Sequence, residues 1–447
     1  MLDTHFLIHN THWQVGKRFA ETDPQLKRLA TLPFSFRSGL LDELPQKEPG
    51  IYTLGGGRQI GKSTLLKQWM LELIQRGVNP KAITFITGEL IDDHHQLLQI
   101  IQQSLDKMPD TSLRYLIVDE VTYIKQWDRA IKFAADAGFF DRVVLMLTGS
   151  DLILMQEAKV TFPGRRGMAE KVDFHLYPLN FLEYLQLVHK AINIDALLLE
   201  ETVDLTPVYK AFHQYLQNGG FLTAINDQAR YEKILPATYQ TYSDWIRGDM
   251  LKRNKQESYL KEILRAIIKR YGSQVTWNAL AKDLSIDHHK TVAEYVSLLE
   301  SMDAVFVQAA LLEDKLTAAP KKARKIMFAD PFIFHAICHW LLPEADTTAI
   351  EPLLVEACVA THFRRYFPTY YIKAEGEVDV AYIKDKQFWP IEIKWTQQLR
   401  AKDLKQVQKY RNAEIWAKVL KQASIGHLPA KPLPVALIEM IMANNRS

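Results

Sequence analysis

The chain has 447 residues, too many for one ordinary hydrophobic core, so two to four domains are expected. Its 47% hydrophobic and 24% charged residues exclude a disordered chain, and a net charge of +3 neither requires nor excludes a nucleic-acid partner. Two cysteines, Cys338 and Cys358, lack metal-ligand spacing and fit a reducing cytosol.

At the start, Met1-Leu2-Asp3-Thr4-His5-Phe6 lacks the basic and then apolar plan of a signal peptide. No run of about eighteen apolar residues follows anywhere, so we expect a cytoplasmic protein with no membrane span. Residues 1–50, with Pro24, Pro33 and Pro45, read as a leader packed beside the next domain.

Gly50-Ile51-Tyr52-Thr53-Leu54 reads as a buried strand. It leads into Gly56-Gly57-Arg58-Gln59-Ile60-Gly61-Lys62-Ser63-Thr64, which fits G-x-x-x-x-G-K-[ST]. Glycines let the backbone turn its N–H groups toward a polyphosphate. In that arrangement Lys62 reaches the β- and γ-phosphates of ATP and the Ser63 hydroxyl holds Mg²⁺. The helical periodicity from Leu65 onward would aim a helix N-terminus at the same phosphates.

Ala82–Thr87 reads as the next strand, a helix follows from about His94 to Lys107, and Arg114–Asp119 is a third strand. This strand ends in Asp119-Glu120, the Walker-B pattern: Asp119 for the Mg²⁺ shell, Glu120 to orient and deprotonate the attacking water. After a helix near residues 126–137, the strand Arg142–Leu147 ends in Thr148-Gly149-Ser150, where Ser150 is a candidate sensor of a γ-phosphate, with a plain strand-ending turn as the other reading. In Gly164-Arg165-Arg166-Gly167, Arg165 is a candidate to reach the γ-phosphate from the same chain or a neighbouring copy, with a basic surface loop as the equal contender. Strands and helices alternating at this length indicate a parallel α/β sheet.

The order of Gly57–Ser63, Leu147–Asp151, Gly164-Arg165, Leu176-Tyr177-Pro178-Leu179-Asn180-Phe181-Leu182-Glu183-Tyr184-Leu185 and Tyr215–Phe221 resembles prokaryotic AAA-type P-loop ATPases that carry a C-terminal domain called DUF4143. The resemblance covers about residues 30–445. It implies an ATPase core, and it says little about biological purpose.

Further on, Leu260–Ile268, Thr276–Leu284 and His288–Leu299 read as three helices followed by an extended run at Ala304–Val307. This resembles a winged helix-turn-helix whose third helix opens with His288, His289 and Lys290. Lys321-Lys322-Ala323-Arg324-Lys325 is a basic run able to touch phosphates, although such runs are more often simply solvated.

In the last domain, Glu377–Ile383 and Phe388–Lys394 read as a hairpin with its turn at Lys384–Gln387. Asp379 and Glu392-x-Lys394 then sit on adjacent strands, the D…ExK arrangement of PD-(D/E)xK nucleases. There Asp379 and Glu392 would bind Mg²⁺ and Lys394 would position the water. Glu356, on the preceding helix, would be a further metal ligand, and Gln406 or Gln408, on an expected following helix, could assist. The plainer reading is an exposed hairpin with no chemistry.

The expected architecture is α/β: a leader (1–50), a parallel-sheet P-loop ATPase core (51–190), a helical lid (191–250), a winged helix (251–325) and a restriction-endonuclease-like domain (326–447). The expected function is Mg²⁺-dependent ATP hydrolysis coupled to a nucleic-acid-directed module, with DNA ahead of RNA. The competing readings are an ATP-gated signalling or assembly switch, engaging a protein partner or a second copy of the chain, and a DNA-binding regulator.

Overall fold

The computed structural model describes residues 8–110, 113–151, 155, 162, 164–199, 203–282, 284–286, 288–344, 348–400 and 404–445. The start read for a signal peptide, Met1–Phe6, and Asp283 of the expected helix Thr276–Leu284 lie outside the described residues. Two compact units divide between Tyr177 and Pro178. No helix among the described residues is long and apolar enough to cross a membrane.

In the first unit, five strands form one parallel sheet: β1 (Gly50–Gly55), β2 (Ile83–Thr87), β3 (Arg114–Asp119), β4 (Val143–Thr148) and β5 (Asp173–His175), in the order β2-β3-β4-β1-β5. Their cores are nearly continuous apolar runs, as expected for a sheet covered on both faces. One face packs against helices α2 (His94–Lys107) and α3 (Trp127–Asp136), with Leu97, Ile101, Ala130 and Ile131 fully buried. The other receives α1 (Lys62–Gln75) and the leader, through Leu66, Trp69, Met70 and Phe19. Register sets Thr87 beside Asp119 and Leu54 beside Thr148, so the chemically active strand ends share the carboxyl edge.

The leader also closes the outer edge of β2. The Asn10 amide donates to the Phe85 carbonyl at 2.8 Å and accepts from the Phe85 N–H at 2.7 Å. Trp13 Nε1 donates to the Ile83 carbonyl at 2.7 Å, and His12 Nε2 lies 2.9 Å from the same oxygen. Side chains thus satisfy backbone groups that an open edge would offer to another strand.

The second unit begins with α4 (Phe181–Val188), where the Pro178–Leu185 segment has a structural role. Asn180 Oδ1 accepts from the Glu183 N–H at 2.9 Å, while Glu183 Oε2 accepts from the Asn180 N–H at 2.8 Å. This reciprocal pair is a capping box. Helices α5 (Thr206–Asn218), α6 (Leu222–Tyr231) and α7 (Pro236–Lys252) follow, with Phe181, Tyr184, Phe212 and Tyr215 stacked edge to face or tilted at their core.

Next come α8 (Glu257–Lys269), α9 (Trp277–Lys282) and α10 (His289–Ser301). Thr276 Oγ1 caps α9 by accepting from the Ala279 N–H at 3.1 Å. Strand β6 (Val305–Ala309) continues through the short pair β7 (Leu311–Leu312) and β8 (Thr317–Ala318) to β9 (Arg324–Phe328). Strands β6 and β9 pair antiparallel, and an isolated bridge joins Val275 to Arg324.

After α11 (Pro331–Leu341) and α12 (Glu351–Arg364) comes a six-stranded sheet. Its strands are β10 (Thr369–Lys373), β11 (Glu377–Lys384), β12 (Gln387–Lys394), β13 (Glu414–Ala417), β14 (Ala423–Ile425) and β15 (Leu428–Pro432), ordered β10-β11-β12-β13-β15-β14. The first three are antiparallel, and β12, β13 and β15 run parallel. Asp385 and Lys386 turn the β11–β12 hairpin with both φ angles positive (53° and 59°), as a two-residue hairpin loop requires. Helix α13 (Leu433–Asn445) closes the chain.

Two expectations need correction. Gln406 and Gln408 lie at a short 3₁₀ turn, Val407–Lys409, rather than on a following α-helix. Gln406 is committed there to the Gly376 N–H and the Tyr410 hydroxyl. Nor is the whole 321–325 run solvated, because Lys325 opens the buried stretch of β9 and is 1% exposed.

Candidate functional site

The phosphate loop leaves β1 and enters α1 at Lys62. Two glycines make this path possible. Gly56 has φ +139°, and a Cβ there would lie 2.5 Å from the Leu176 carbonyl oxygen, while Gly61 has φ +100°. Gln59 and Ile60 form the outer bend, Arg58 lies over the Tyr123 ring at 5.3 Å, and Thr64 follows Ser63 in the first helical turn. Lys62 Nζ donates to the carbonyls of Gly56 (3.0 Å) and Gly57 (2.9 Å) and stands 3.7 Å from Glu120 Oε1.

The end of β3 is held from two directions. Ser63 Oγ donates to Asp119 Oδ2 at 2.6 Å, and Thr148 Oγ1 donates to Asp119 Oδ1 at 2.5 Å. Burial raises the Asp119 carboxyl above its ordinary range, with the two hydroxyl bonds opposing that shift. Thr148 Oγ1 also accepts from the Glu120 N–H at 2.9 Å. Glu120 itself adopts φ +52°, uncommon for a residue with a Cβ. Its Oε2 accepts from Ser150 Oγ at 3.0 Å and from the Ser150 N–H at 3.3 Å.

Lys62, Ser63, Asp119, Glu120 and Ser150 are therefore brought into one connected group. Thr148, noted in the sequence only as part of a polar strand end, is its central link. Arg165 is placed elsewhere: its guanidinium pairs with Asp136, the last residue of α3. Arg166 forms a two-pronged pair with Asp173, through NH2 to Oδ1 at 2.6 Å and NH1 to Oδ2 at 2.9 Å.

The second unit gathers its acids at the β11–β12 hairpin and α12. Glu356, Glu377 and Asp379 each offer an oxygen within 4.8 Å of the other two, a spacing able to hold a cation. Glu377 was absent from the sequence-based ligand set, although it lies two residues from Asp379 on the same strand. Asp379 Oδ2 accepts from the Ile393 N–H at 2.8 Å. Lys394 pairs with Glu392 Oε1, while Glu392 Oε2 is buried with no hydrogen-bond partner among the described residues. Burial first, and then the Asp379 charge, push the carboxyls of Glu356 and Glu392 up to about 8.

Lys325 occupies this cluster. Its Nζ lies 2.5 Å from Glu356 Oε1 and 3.8 Å from Asp379 Oδ1, and it also pairs with Glu377. Burial opposes its charge, but the carboxylates of Glu356, Asp379 and Glu377 outweigh that cost and hold it above the ordinary lysine range. A lysine in a basic run carried no signal of this destination.

Residues 48–185 match the family model described as an AAA domain. The first unit thus carries an AAA-type P-loop domain. Residues 209–344 match a domain of unknown function designated DUF8612, which corrects the expected DUF4143. An uncharacterized protein of Haemophilus influenzae is 26% identical over 264 residues; the match covers 56% of this chain and 60% of that relative's length. Among solved structures, a Walker-type ATPase of Pyrococcus abyssi aligns over 72% of this chain and 95% of its own at 13% identity, with a TM-score of 0.43. RuvB of Thermotoga maritima aligns over 62% and 84% at 16% identity, with a TM-score of 0.30. At such scores neither alignment bears on chemistry.

Proposed function

We propose that the protein binds and hydrolyses ATP with Mg²⁺ at the carboxyl edge of the first unit's sheet. The observation that carries this reading is the continuous chain Ser63–Asp119–Thr148–Glu120–Ser150, beside Lys62 on the loop carbonyls. The residues fit the ion: a hydroxyl and a buried carboxylate, the pair that such sites use for Mg²⁺, already converge at 2.6 Å. Ser63 and Asp119 would hold it, and when bound it neutralises phosphate charge. Lys62 exchanges its carbonyl partners for phosphate oxygens. The loop N–H groups and the start of α1 orient the polyphosphate. Glu120, its carboxylate aimed by Ser150 and its backbone fixed by Thr148, accepts the proton of the attacking water.

ATP turnover and nucleotide binding test this in two variants. Lys62→Ala should lose both, whereas Glu120→Gln should retain binding and lose hydrolysis. Wild-type turnover in both would sink the reading.

For the second unit we propose a non-cutting binding module whose engagement follows the nucleotide state. The α8–α10, β6 and β9 arrangement supports a winged helix, with His289 and Lys290 exposed at the start of α10. The order of α12, three antiparallel strands and parallel β13 supports a nuclease-like fold. The specific observation against cutting is Lys325, buried among the acids that would have to take a metal. Mg²⁺- or Mn²⁺-dependent cleavage of DNA or RNA that vanishes in Lys394→Ala would restore the nuclease reading.

A further inference from the structure

We propose that Lys325 is the resident cation of the acid cluster, its ammonium standing among Glu356, Glu377 and Asp379 where a divalent ion would otherwise be held. The inference deepens the non-cutting reading of the second unit and rests on it, but is independent of ATP hydrolysis.

Three observations converge on it. The three carboxylates are close enough to share one cation, and the Lys325 ammonium contacts all three. Lys325 is 1% exposed, so its partners are supplied by the protein rather than by water. Its approach is also anchored. On β9, Arg324 and Lys325 face Ala309 and Gln308 of β6, and Gln308 Nε2 donates to the carbonyls of Tyr370 (2.9 Å) and Asp379 (3.0 Å). The β6–β9 sheet is thus joined to β10 and β11 at the point where the lysine enters.

Charge accounts for the choice of occupant. Four carboxylates, Glu356, Glu377, Asp379 and Glu392, face two ammonium groups, Lys325 and Lys394. Glu356, Glu377 and Asp379 converge on one point, and a cation at that centre offsets their mutual repulsion. A covalently attached ammonium pays desolvation as a free ion does, but it does not give up a free ion's translational freedom. Removing Lys325 leaves the oxygens converging on a vacated cation position, which selects for a hard divalent ion.

The test is nucleotide-free Mn²⁺ titration of the full chain by calorimetry and electron paramagnetic resonance, with Asp119→Asn in every sample to silence the P-loop site. The otherwise unaltered chain should show no saturable Mn²⁺ binding. Lys325→Met should gain one site and a Mn²⁺-dependent rise in melting temperature, and both should disappear on adding Asp379→Asn. Saturable binding with Lys325 in place that Asp379→Asn removes would overturn the inference, as would a folded Lys325→Met chain that binds no ion. If Lys325→Met does not fold, Lys325→Met with Glu356→Gln removes both partners of the Nζ–Oε1 pair; recovery of the fold supports the counter-ion role, and failure to recover overturns it. Strand cleavage by the Lys325→Met chain alone would leave the resident-cation inference standing, whereas metal-dependent cleavage by the unaltered chain would defeat it together with the non-cutting reading.

Discussion

Ser63 Oγ donates to Asp119 Oδ2 at 2.6 Å, joining the first turn of α1 to the end of β3 across 56 residues of chain. The hydroxyl and the carboxylate satisfy each other without nucleotide, yet burial disfavours the Asp119 charge. Asp119→Asn should therefore leave the melting temperature of the nucleotide-free protein unchanged or higher. The same change should lower Mg²⁺-dependent ATP turnover by about 10²–10³-fold, the scale for losing one preorganised electrostatic group. Calorimetry without nucleotide and a steady-state ATPase assay check the two halves.

Thr148 is the link between the two acids. Thr148→Val keeps the shape but leaves Asp119 Oδ1 without a donor and the Glu120 N–H without an acceptor. A buried group left unsatisfied costs about 1–3 kcal/mol. Because Glu120 loses its backbone anchor, kcat should fall more than nucleotide affinity. Thr148→Ser, which retains the hydroxyl, should recover most of both. Parallel measurements of kcat and ATP Kd decide the point.

Asn10 acts as a substitute strand against β2, meeting both backbone groups of Phe85. Asn10→Ala should shift the urea midpoint of the first unit downward by the equivalent of about 1–3 kcal/mol, since the buried Phe85 groups lose their partners. Asn10→Asp cannot donate to the carbonyl and should not restore it. A midpoint equal to wild type in Asn10→Ala would show that water replaces the amide freely.

His362 is held neutral by geometry. Its Nδ1 lies 2.7 Å from the Cys358 carbonyl, which requires a donor there, and its Nε2 accepts from the Phe181 N–H at 3.1 Å. A second ring proton would point at that N–H. Burial, and then Arg365, lower its pKa to about 3. The unfolded chain binds the proton near 6.5, so this contribution to stability is full above 6.5 and lost as pH falls toward 3, by about 1.4 kcal/mol per pH unit. Asp330, which burial pushes up to about 6, contributes the opposite slope below that pH. The decisive comparison is therefore between the wild type and His362→Gln, which keeps a donor and an acceptor but does not titrate. The variant should lose less stability between pH 6.5 and 5 in urea unfolding of the second unit.

Much of this protein is written in local pattern. The apolar runs Ile83–Thr87 and Arg114–Asp119 become strands, and His94–Lys107 becomes a helix, because periodicity and capping act within a few residues. The loop Gly56–Thr64 and the acids Asp119-Glu120 announce themselves because phosphate chemistry demands particular residues at short fixed spacing. The β11–β12 hairpin is equally local, with its polar two-residue turn between alternating strands.

The tertiary structure alone decided which distant side chains meet. Strand order β2-β3-β4-β1-β5 sets Thr148 against Asp119, and nothing in either segment names the other. Arg165 is taken by Asp136, and Lys325 enters an acid cluster whose nearest member in sequence is 31 residues away. The physical reason is that a charged side chain reads the same in sequence whether it is solvated or buried. Only the field of its eventual neighbours separates a surface lysine from an internal cation.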